Sequence, residues 1–150
     1  MLEILAMITV IAVVMALAAY FIRTSPPQYA ENVSRDEAPF GLPACARDVS
    51  FCQGQRGTIA FEFAIDERGF IDWVKSGIGS FESEAAQIPL REITTPQKIH
   101  RYHLLVPGRT GADSITVSSG LYYHWSEEDR GVTAIFDRAT RRAYYFSHSH

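Results

Sequence analysis

The chain has 150 residues, Lys+Arg 14 against Asp+Glu 17, and a formal net charge of −3. Neither half is strongly basic, so the electrostatic footprint that nucleic acid demands is missing and that class of partner is excluded. With the apolar opening set aside, roughly 125 residues remain, enough for one modest core.

The opening stretch, "LEILAMITVIAVVMALAAYFI" from Leu2 to Ile22, is apolar over about the 20 residues that a bilayer core requires. It contains no Gly or Pro, so nothing interrupts the backbone hydrogen bonds of a helix in lipid. Three readings compete. A cleaved secretory signal has a small-x-small pattern at Ala16-Leu17-Ala18, but only Met1, Leu2 and Glu3 stand where a basic region belongs. A single-pass anchor keeps Glu3 wet at the headgroups. Arg23 is then the only basic residue close to the span, which by the positive-inside rule leaves the rest of the chain in the cytoplasm.

The third reading concerns the acid. The run from Glu3 to Tyr20, an acid followed by unbroken Ile, Val, Leu, Met and Ala, resembles the N-terminal helix of type IV pilins and of type II secretion pseudopilins. That resemblance implies a helix that anchors the subunit in the inner membrane and later packs in a filament core. Glu3 then pairs with a neighbouring subunit's terminal amine, and Leu5, Ile8, Ala12 and Met15 face other copies. Pro26, Pro27, Pro39 and Pro43 stop the helix from continuing as a long rod.

From Thr24 to Gly57 the chain is rich in Pro, Gly and charge without helical or strand period, and it reads as an extended connector. An Asn-x-Ser sequon at Asn32 is short enough to arise by chance. Cys45 and Cys52 fall in this stretch at a spacing that fits neither a redox nor a haem motif, and a short disulfide loop is expected. Such a loop implies an oxidising compartment and an extracytoplasmic domain.

At Thr58 the period changes to two. Ile59, Phe61, Phe63 and Ile65 alternate with Thr58, Ala60, Glu62 and Ala64, which predicts a strand with one apolar face. Asp66-Glu67-Arg68-Gly69 reads as a tight turn into a second strand, "FIDWVK". Ser80 to Ile88 is the one predicted helix of this part, capped by Ser80 and stopped by Pro89. Strands are expected at "REITT", "HRYHLLV", "SITV", "GLYYHW", "VTAIFD" and "AYYFSH", separated by Pro- and Gly-bearing turns.

Candidate chemistry is sparse. His100, His103, His124, His148 and His150 are the imidazoles available to a metal, but His100 and His103 fall on opposite strand faces and the last two sit near a terminus, so no metal site is expected. Tyr122 to Trp125 with Tyr144, Tyr145 and Phe146 offer an aromatic surface for a sugar or a partner, or else the core and flank of a sheet. Asp66, Glu67 and Asp72, or Glu127, Glu128 and Asp129, lack the ligand alternation of a calcium loop and read as solvated turns. No nucleophile elbow, phosphate loop or dinucleotide fingerprint occurs.

The sequence therefore predicts an α+β protein: a hydrophobic transmembrane or filament-core helix over 1–24, a connector with a disulfide loop over 25–57, and a small antiparallel β-rich domain with one short helix over 58–150. Its expected role is a non-enzymatic structural subunit of a pilus-like filament or pseudopilus, without cofactor or evident small-molecule substrate. Its partners are then copies of itself and, before assembly, the lipid bilayer, and it resides in the inner membrane with an extracytoplasmic domain or in an extracellular filament. The competing role is a single-pass accessory or sensor protein whose β domain binds a partner protein or a ligand. A small hydrolase on an anchor would need a cleft that gathers the acids and histidines.

Overall fold

A computed structural model of the chain describes residues 7, 10–15, 28–38, 41–54, 57–78, 89–102, 106 and 114–149. Nine strands are defined among them: β1 Gln28–Val33, β2 Arg47–Gln53, β3 Ile59–Ala64, β4 Arg91–Glu92, β5 Gln97–His100, β6 Ser114–Val117, β7 Gly120–Glu127, β8 Arg130–Asp137 and β9 Arg142–Ser149. One helix, α1 Glu67–Lys75, follows β3, and Arg35–Glu37 form a single 3-10 turn. Seven strands build one antiparallel sheet in the order β1-β2-β3-β9-β8-β7-β4, while β5 and β6 form a separate hairpin. Two meanders, β1-β2-β3 and β7-β8-β9, are thus zipped together where β3 pairs with β9.

This architecture corrects the α+β expectation. The described chain is mostly β, and among the described residues no helix is long and apolar enough to cross a membrane. The stretch 25–57 is no connector either. It supplies β1 and β2, because Val49 and Phe51 alternate toward the core and β2 pairs with β3 from Arg47 to Gln53. Arg35, Asp36 and Glu37 form the 3-10 turn, and Arg47 and Asp48 open β2.

The third correction concerns 66–75. The expected turn and second strand are instead α1, whose buried residues Phe70, Trp73 and Val74 recur at helical spacing. Asp66 caps it, accepting a hydrogen bond from the Gly69 amide at 2.6 Å. Gly69 is needed here for space and not for turning, since a Cβ would come 2.8 Å from the Cys45 sulfur. The helix predicted over 80–88 lies outside the described residues.

α1 covers one face of the sheet. Phe63 meets Trp73 edge-on at 5.2 Å, Phe70 stacks on Phe136 at 5.5 Å, and Trp73 lies 5.6 Å from Tyr145. Trp73 donates its indole N–H to the Gly41 carbonyl at 2.7 Å, so the one polar atom of that ring is satisfied. Ala134 and Ala143, fully buried in the same cluster, leave volume for the rings. The opposite face is covered by the β5–β6 hairpin, where Ile93, Ile99 and Val117 pack on Ile135 and Tyr144, and by Tyr102 and Val106 beside Cys52 and Ala60.

Arg138, in the turn between β8 and β9, ties distant parts of the chain together. Its guanidinium grips Glu67 at 2.5 and 2.9 Å and Glu92 at 2.7 and 3.0 Å. These hydrogen bonds hold both carboxyls below the ordinary carboxylate range. A depressed folded-state pKa stabilises the fold above the unfolded value of about 4.3, and the contribution is lost as pH falls through the folded values. Arg138→Met should therefore lower the urea midpoint at pH 7, and the gap from wild type should close on acidification below about pH 4. A gap independent of pH would show that the clasp contributes through packing alone.

Candidate functional site

Strand alternation sends every second side chain of β7, β8 and β9 toward the hairpin side. Register then places Tyr122, Ile135 and Tyr144 in one row and His124, Thr133 and Phe146 in the next, with Gly131 opposite His148 beyond them. The outer strands carry large rings and the middle strand carries Ile135, Thr133 and Gly131. Two ridges therefore flank a valley that runs along β8.

Each ridge is continued by an imidazole. Tyr122 and His124 stack along β7 with centroids 6.1 Å apart and planes 24° apart, and Phe146 and His148 lie 6.0 Å apart along β9. His124 Nδ1 lies 3.0 Å from the Thr133 hydroxyl, tying the β7 ridge to the valley floor. His148 folds over Gly131, where a Cβ would come 2.6 Å from its ring. Gln97 to His100 of β5 form the remaining wall. The groove has a volume of about 280 Å³ and is open to solvent on one side, with Ile99, Tyr122, Ile135, Tyr144 and Phe146 as its apolar lining and Lys98, His100 and Thr133 as polar lining.

A buried ion pair fixes that wall. Glu62, paired across the ladder with Tyr144, is 3% exposed. Arg101 follows β5 directly and donates from Nε to Glu62 Oε2 at 2.8 Å and from Nη2 to Oε1, while Arg142 stands 3.9 Å away. The hydrogen bonds to Glu62 push the Arg101 guanidinium above its usual range, so it stays charged at any accessible pH. Burial raises the Tyr144 hydroxyl and keeps it neutral near pH 7.

The residues singled out from sequence are distributed as follows. Glu3, Leu5 and Ile8 lie outside the described residues. Ala12 and Met15 are on the helical run 10–15, exposed and outside the domain core. The expected Cys45–Cys52 disulfide is absent: both thiols are free. Cys52 is buried on the hairpin side with Ala60 and Tyr102, whereas Cys45 abuts Gly69 on the helix side, so the sheet separates them. The oxidising compartment inferred from that bond loses its support. His103 and His150 lie outside the described residues, and no cluster of three or more His, Cys, Asp or Glu suited to a metal occurs among the described ones.

The aromatic stretch at 122–125 is split by its strand. Tyr123 and Trp125 enter the helix-side core, while Tyr122 and His124 build the groove. Three of the acids have structural partners: Asp66 caps α1, Glu67 binds Arg138, and Glu127 lies 3.3 Å from Arg130. Sequence reading missed Glu62 and Arg101 altogether. The available signal was that Ala60 and Ala64, small and apolar, share the presumed solvent face with Glu62. Comparison of the chain with protein-family models, with curated proteins and with solved structures finds no match.

Proposed function

We propose that the sheet domain is a non-catalytic binding module whose ligand occupies the groove between β5 and the β7–β8–β9 face. The cavity of about 280 Å³ carries this reading, because its aromatic walls and few polar groups have the composition of a small-molecule site. Asp66 caps α1 and Glu67 is paired with Arg138, and no carboxylate is among the described residues lining the groove.

The test is a thermal-shift screen of small molecules against the full chain and a Thr133→Trp variant, in which the indole fills the valley. A ligand held at a hundred times its Kd stabilises wild type by about 2.7 kcal/mol and so raises its Tm by several degrees. The variant should fold and show no such shift. Hits that shift both proteins equally would place binding elsewhere and remove the groove from consideration.

A second reading, self-assembly as a filament subunit, draws on a separate observation. Val10, Ile11, Val13, Val14 and Met15 are helical and each leaves more than half of its surface exposed, so this run offers apolar area that the sheet domain does not cover. Sedimentation velocity of the full chain tests it, and a stable monomer overturns it.

A further inference from the structure

We infer that the groove takes a planar aromatic ring bearing one anionic group, an inference that rests on the binding reading above. The first argument is spacing. β7 and β9 are two strand intervals apart, roughly 10 Å, so a flat ring standing over β8 lies about 5 Å from the Tyr122 ridge and from the Phe146 ridge. That separation falls within the range in which aromatic pairs attract, and the half-buried Thr133 below, opposite Phe146, is small enough to admit the ring's edge.

Volume narrows the class. About 280 Å³ lies just below the usual range of drug-sized sites, which suits one ring or two fused rings and is too small for an acyl chain of membrane length. A sugar fits poorly. Its hydroxyls need a dense set of donors and acceptors, and the Thr133 hydroxyl is already engaged by His124.

Charge supplies the remaining term. Lys98 and His100 line the cavity, and Arg91 stands next to Tyr122 across the β4–β7 ladder. No carboxylate is among the described residues that line the cavity, and Glu62 and Glu92 are paired with Arg101 and Arg138. Among the described residues, neither Lys98 nor Arg91 has an ion-pair partner. Among the described residues the mouth thus carries positive charge without an ion-pair partner above an apolar floor, which complements a carboxylate or sulfonate attached to a ring.

The experiment titrates three probes into the full chain while following the methyl resonances of Ile99 and Ile135: 2-naphthoate, neutral 2-naphthol, and the saturated, non-planar decalin-2-carboxylate. 2-Naphthoate should shift both methyls and bind about tenfold more tightly than either other probe. Lys98→Gln should weaken 2-naphthoate about threefold or more while leaving 2-naphthol unchanged, a split that a misfolded variant cannot produce. Equal affinity for all three probes at these methyls overturns the ligand class and leaves the groove reading standing. No methyl shift with any probe also overturns the class, and the Thr133→Trp screen then decides the groove reading by itself.

Discussion

Gly120→Ala should destabilise the domain by about 4 kcal/mol, at the top of the range for single substitutions. An ideal Cβ at this position stands 1.7 Å from the Phe136 carbonyl oxygen and 2.9 Å from its carbonyl carbon. Both are backbone atoms of the partner strand, so no rotamer change relieves the clash. The start of β7 has to leave β8, and Gly120 is also the acceptor for the Ile93 amide at 2.9 Å, while its neighbour Ser119 accepts from Arg138 at 3.1 Å. One methyl therefore strains β7, β8, the β4 region and the Arg138 turn together. Gly77→Ala is the matched control: its φ is +86° but nothing lies within 4 Å, and the expected cost is only about 1 kcal/mol. Urea unfolding of the two variants measures the contrast, and a Gly120→Ala protein within 1 kcal/mol of wild type would refute the close approach.

The strands that could be read from sequence are those in which periodicity and turn residues agree. β3 alternates large apolar residues with smaller or polar ones, while β7, β8 and β9 are rich in aromatic and β-branched residues, and turn clusters punctuate them. β1 and β2 escaped because Pro, Gly and charge crowd the loops between them, so that composition averaged over 24–57 hides two six- to seven-residue strands. "FIDWVK" misled for a different reason. Over six residues, period two and period 3.6 both fit, and only Asp66 as a cap with Phe70, Trp73 and Val74 on one side separates them.

The groove was illegible for a deeper reason. It depends on which residues of three strands stand side by side, and a register shift of one would exchange Tyr122 for Tyr123 and turn the valley into core. Similarly, Cys45 and Cys52 are near in sequence but on opposite sides of a sheet, which spacing alone does not reveal. Glu62 reads as solvated from sequence because the alternation in β3 marks only one face as apolar. In the structure the hairpin covers the second face as well, and that burial makes the carboxylate consequential.

Glu62→Ala should cost about 3 kcal/mol, the lower end of what removing one member of a buried ion pair costs. The lower end applies because Arg101 retains 32% of its side-chain exposure and is partly hydrated once its partner is gone. Arg142 is less affected, since its Nη2 also donates to the Asp48 carbonyl at 3.1 Å. The loss then falls mainly on Arg101, and through it on β5, whose wall position over Tyr144 and Ile135 it secures. Replacing both partners with apolar residues, Glu62→Leu with Arg101→Met, removes the desolvation cost along with the attraction and should leave stability within about 1 kcal/mol of wild type. With the single variants Glu62→Leu and Arg101→Met the cycle closes, and its coupling energy should be opposite in sign to the single losses, measured by denaturant unfolding of the four proteins. If the double variant is as unstable as the sum of its parts, Glu62 and Arg101 act independently, and β5 is held over the groove by its apolar contacts alone.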